Sequence, residues 1–113
     1  MSSEHEQRVG MNEALFREVN ERIDDVNNAF AVVTGTMSIV CECGASGCVE
    51  QIVIPRSDYE QLRADPTLFA VVPDHDIPDV EDVVERRGRY DVVRKQPDIP
   101  QAIAKATDPR SLS

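Results

Sequence analysis

The stretch "VCECGASGCVE", Val40 to Glu50, holds all three cysteines of the 113-residue chain, together with Gly44 and Gly47. "TMSIVCEC" (36–43) alternates and is rich in β-formers, so it reads as a strand running into the cysteine loop, and "VEQIVI" (49–54) reads as the return strand. The stretch is therefore the loop between a strand and its return strand. Residues i and i+2 of a regular strand stand roughly 6.5–7 Å apart. Two thiolates on one zinc stand only about 3.7 Å apart, because Zn–S is near 2.3 Å. The strand must therefore bend or end at Cys43, which Gly44 permits.

Upstream, Phe16, Val19, Ile23, Val26, Phe30 and Val33 recur at alternating steps of three and four, and Glu13–Arg17 and Glu18–Arg22 stand in the favourable i, i+4 order. The spacing predicts a helix over 12–33 with Asn12 as its cap and Gly35 as its end. The apolar stripe is expected to pack on the chain's own sheet; the alternative is a homodimer or partner-helix seam through 12–33.

Downstream, "PRSDYEQLRADP" reads as a second helix with Ser57 and Glu60 as a capping box, stopped by Asp65-Pro66. "LFAVVP" (68–73) reads as a strand, "VEDVVERRGRYDVVRK" as a hairpin turning near Gly88, and "DIPQAIAKA" as a short helix starting near Asp98. The expected fold is α+β: a long N-terminal helix packed on a small, mostly antiparallel sheet with a zinc-knuckle-like loop. The expected boundaries are a disordered tail at 1–11, a single domain at 12–106 and a C-terminal tail at 107–113.

Aromatic residues make up 4% of the chain and Trp is absent, so the core must be built from aliphatic side chains. The net charge of −9 argues against nucleic-acid or anionic-membrane binding and suits a protein partner with a basic face. No apolar run is long enough for a membrane span, and the polar start lacks the pattern of a signal peptide. A cytoplasmic, reducing location is expected, where thiols serve as ligands or catalysts more often than as disulfides.

Cys41-x-Cys43-x4-Cys48 is a dense thiol cluster that suits a soft tetrahedral site, for which Zn2+ is the default occupant. The alternatives are a thiol switch such as a Cys43–Cys48 disulfide, or inert thiols. The fourth ligand is expected to be His75, in "VVPDHDIPD", with Asp74 or Asp76 orienting its ring. Glu42, Glu50 or a water are the other choices, and His5 falls in the expected tail. A water-filled fourth position would make the site catalytic.

The pattern "NEALFREVNERI…CECG…LRADPTLFAVVPDH…VVERRGRYDVV" resembles a group of small uncharacterised bacterial proteins in which a C-x-C-x4-C segment precedes a VxPxH-type segment. The likeness spans roughly residues 12–110. It implies Cys41, Cys43, Cys48 and His75 as a set, and implies no activity.

Arg86, Arg87, Arg89, Arg94 and Lys95 crowd the hairpin, either as a solvated surface or as a docking spot for an acidic partner. Asp74, Asp76, Asp79, Glu81 and Asp82 lack the order of a calcium loop. No nucleotide-binding or serine-hydrolase motif is present. The expected function is a cytoplasmic zinc-stabilised interaction or regulatory module with no catalytic residues, binding an unidentified protein. The alternative is a zinc- or thiol-dependent redox or hydrolytic protein using Cys41, Cys43 and Cys48.

Overall fold

The computed structural model describes residues 2–45 and 47–110, with the side chains of 2, 3 and 27–34 outside the description. Helix α1 (Ser2–Thr34) leads into the hairpin of β1 (Thr36–Val40) and β2 (Gln51–Pro55). Then follow α2 (Arg56–Arg63), β3 (Leu68–Val71), β4 (Glu81–Arg86), β5 (Asp91–Lys95) and α3 (Ile99–Ala106). The α+β class is as expected. The strands, however, form two antiparallel sheets rather than one: β1–β2, and a second of order β3–β5–β4. The sheets meet where Glu42, just past β1, donates its N–H to the carbonyl of Ala70 on β3 (2.9 Å). Ile39, Ile52, Ile54, Phe69, Val71 and Val93 fill the core between these elements.

Helix α1 begins at Ser2 instead of Asn12, so the described part of the expected tail is helical. The reason is docking: Val9 is buried, and Gly10 lies so close to α3 that a Cβ there would meet Ile103 Cγ2 at 2.8 Å. At the other end of the chain, Arg110 reaches back to Glu21 (2.7 and 3.1 Å) and Glu60 (2.7 Å). The expected C-terminal tail is therefore strapped to α1 and α2 as far as Arg110, and residues 111–113 lie outside the description.

The face α1 buries differs from the expected one. Val9, Glu13, Arg17, Asn20 and Asp24 are buried. At about 100° per residue they occupy one arc of roughly 80°. Of the predicted stripe, Phe16 and Ile23 are half-buried, Val19 and Val26 are exposed, and Phe30 and Val33 lie outside the described side chains. The surface beneath α1 explains the rotation, because it offers polar groups that need partners. Asn20 satisfies both backbone groups of Val40, donating to its carbonyl (2.9 Å) and accepting from its N–H (2.8 Å). Arg17 donates to the carbonyls of Pro66 and Ala104 (both 2.7 Å) and sits 4.6 Å over the Phe69 ring. Glu13 pairs with Lys95, which also donates to Glu81 at 2.7 Å.

The Ser57–Glu60 capping box does not form. Pro55 occupies the cap position, no side chain caps α2, and the N–H of Arg56 is taken by the Gly35 carbonyl (2.9 Å). Glu60 pairs with Arg110 instead.

Candidate metal centre

Strand β1 ends at Val40, so Cys41 and Cys43 lie in irregular backbone, free of the strand spacing that would hold their thiols apart. The N–H of Cys41 still bonds the Glu50 carbonyl (2.9 Å), which keeps the two sides of the loop together. Gly44 turns the chain with φ 73°, and the N–H of Cys48 closes a turn onto the Ala45 carbonyl (3.1 Å). Cys41 and Cys43 are buried within the hydrophobic core, and Cys48 is half-exposed.

His75 arrives from the other sheet. Its N–H bonds the carbonyl of Val72 (2.9 Å) across Pro73 and Asp74, and Asp74 has φ 70°. Proline at the second position and positive φ at the third are the marks of a type II turn. This turn directs the imidazole back at the thiols: Nδ1 lies 3.7 Å from Cys41 Sγ and 3.8 Å from Cys48 Sγ. The ligand atoms of Cys41, Cys43, Cys48 and His75 all lie within 4.8 Å of one another. Those spacings are close to the edge of a tetrahedron around an ion with bonds of about 2.0–2.3 Å. The four residues are thus positioned to bind a metal ion, and among the described residues they are the one such group.

The electrostatics suit a cation. The N–H of Val72 donates to Cys41 Sγ (3.2 Å). Cys43 is held well below the usual thiol range, chiefly by the hydrogen bond from Cys41 and aided by the Ala45 N–H. Cys41 is correspondingly pushed up by that shared bond and by burial, and Cys48 is pushed up by burial. A divalent ion among them would offset the burial of the sulfurs and let the thiols ionise together.

The remaining candidates fall elsewhere. Glu42, between two of the cysteines, points away from them into the interior. Its carboxylate accepts from Arg63 (2.7 and 3.1 Å), Asn20 (2.6 Å) and the Ala70 N–H (3.1 Å), which leaves it no capacity as a fourth ligand. Glu50 is exposed, and it is its main-chain carbonyl that meets Cys41. His5, on α1, faces Asp79 at 4.0 Å. Among the described residues neither Asp74 nor Asp76 pairs with the His75 ring, and the acidic run 74–82 forms no ion-binding group. Its Glu81 is committed to Lys95 and to the Ile77 N–H.

The cationic hairpin is largely neutralised: Arg86 pairs with Asp91, Arg87 with Glu85 and Asp58, Arg94 with Asp65, and Lys95 with Glu81 and Glu13. No described helix is long and apolar enough to cross a membrane.

Compared with protein-family models, curated proteins and solved structures, the chain has no significant match. The likeness to small bacterial proteins thus has no support from a family or relative; what the structure shows is that Cys41, Cys43, Cys48 and His75 lie close together.

Proposed function

We propose that this chain is a small zinc-stabilised protein-interaction or regulatory module rather than an enzyme. The observation that carries the proposal is the convergence of Cys41, Cys43, Cys48 and His75 within 4.8 Å. Three sulfurs and one imidazole nitrogen are the donor set of a structural tetrahedral zinc site. Four protein donors fill zinc's preferred coordination and leave no place for the activated water that hydrolysis requires. Three donors come from the β1–β2 loop and one from the turn after β3, so the ion would tie the two sheets together. In a domain of this size that tie is a large share of the folding free energy. Thiolates that must stay reduced to hold the ion fit a cytoplasmic setting.

The test is metal removal. Chelation, or Cys43→Ser, is expected to lower the melting temperature steeply and to erase much of the β-signal in circular dichroism. Full metal removal with an unchanged spectrum and melt would overturn the structural role. A chain that purifies without metal and carries one thiol reactive at neutral pH would favour the thiol-dependent alternative instead.

A further inference from the structure

Helix α1 is inverted: it docks on its own body through charged and amide side chains and turns an apolar stripe outward. Met11, Leu15, Val19 and Val26 are 61, 57, 37 and 76% exposed, and they are four of the seven exposed large hydrophobics among the described residues. At about 100° per residue they share one arc of roughly 80°, centred about 160° from the buried arc. The stripe runs about 22 Å along the axis at 1.5 Å per residue.

We infer that this stripe is a homodimer seam, in which α1 of one copy packs antiparallel on α1 of a second about a two-fold axis. The proposal names the partner of the interaction module above and rests on that reading, while the seam itself involves none of the four metal-site residues. The charges on the stripe favour a second copy. Glu18 and Arg22 are both exposed; Arg22 lies within the apolar arc and Glu18 borders it. An antiparallel register that sets Met11 against the second copy's Val26 also sets Leu15 against its Arg22 and Glu18 against its Val19. Each Arg22 stem then covers a Leu15, with its guanidinium one helical turn from the opposing Glu18, and the two-fold axis makes this pair twice. A partner with a uniformly basic face would find an arginine in its path. Met11, Ala14 and Leu15 also floor an open groove of about 450 Å³ walled by Ala106 and Pro109, which can receive the second copy's Val26.

The test is sedimentation equilibrium of the full metal-loaded chain. The wild type is expected at twice its 12.6 kDa mass. Leu15→Glu is expected to raise the dissociation constant at least about a hundredfold, because symmetry buries the new charge twice. Glu18→Arg is expected to weaken the dimer by about tenfold, and Glu18→Arg with Arg22→Glu to restore it. Metal content and circular dichroism of each variant should stay at wild-type values, since all these positions are exposed. A wild type that remains at 12.6 kDa at several hundred micromolar, or a dimer indifferent to Leu15→Glu, overturns the seam. Monomer with metal intact leaves the zinc-module reading standing, and dimer without metal does the reverse.

Discussion

The side chain of Asn12, in the middle of α1, donates a hydrogen bond to the carbonyl of Gly44 in the cysteine loop (3.0 Å). The contact is close enough that Gly44 has no room for a side chain. A Cβ there would meet Glu13 Cγ at 2.7 Å and the Val9 carbonyl at 3.0 Å, on a backbone already at φ 73°. Helix and loop therefore form one unit, and disturbing one should disturb the other. Gly44→Ala is predicted to cost about 2–4 kcal/mol, adding a left-handed backbone penalty to overpacking. Gly47→Ala shares the positive φ but faces open space, so it should cost only about 1 kcal/mol. Urea denaturation of the two metal-loaded variants checks this, and equal losses would mean the helix does not press on the loop.

Asp74 takes a left-handed conformation to deliver His75. Aspartate bears that conformation better than most residues, and glycine bears it freely. Asp74→Gly should keep wild-type metal affinity, whereas Asp74→Val should lower it by at least about tenfold by unsettling the turn. A metal-competition titration on both variants decides. Equal affinities would show that the turn does not position the imidazole.

Lys95 serves two buried carboxylates, Glu81 and Glu13, and one ammonium balances only one charge. Glu13 consequently holds its proton, its pKa pushed up to about 9 by burial against the pull of Lys95. The sign follows directly. Between the unfolded value of 4.5 and about 9 the folded chain keeps a proton that the unfolded chain releases, so stability from this group falls as pH rises. Glu13→Gln should resemble the wild type near pH 4, below the unfolded value of 4.5, and become progressively the more stable of the two as pH rises toward about 9. Denaturation midpoints across that range check this, and parallel profiles would contradict it.

Arg63 is buried against Glu42, and both side chains are nearly fully enclosed. Arg63→Met would leave a buried carboxylate held only by Asn20 and the Ala70 N–H, at a cost of about 3–5 kcal/mol. Adding Glu42→Gln removes the stranded charge and should recover about half of that loss. A double-mutant cycle in urea measures the coupling, and purely additive losses would mean the pair does not act as one.

The strands, the hairpin at Gly88 and the cysteine loop were legible because alternation and thiol spacing are local signals. His75 was legible because histidine is rare in the chain and this one follows a strand end. The docking face of α1 was not. Apolar periodicity reveals a helix but not which side meets the body, and the body here exposes the Val40 backbone, Glu42 and Lys95, all set by distant segments. Glu42 is excluded as a ligand by partners that no local signal shows: Asn20, Arg63 and the Ala70 N–H, all distant in sequence, take up its carboxylate. The helical state of residues 2–11 is hidden by their polar composition, because Val9 is the one buried apolar side chain described there and Gly10 matters only through its contact with Ile103 of α3. The capping box does not form because α2 already starts at Arg56, which places Ser57 inside the helix, and because Arg110, distant in sequence, takes the Glu60 carboxylate.

The most direct test of the account is the metal content per chain, by elemental analysis of protein purified under reducing conditions, for the wild type, His75→Ala and His5→Ala. One zinc per chain is expected in the wild type and in His5→Ala, and a large loss in His75→Ala. No metal in the wild type, or equal retention in both histidine variants, would contradict the Cys41–Cys43–Cys48–His75 centre on which the proposed function stands.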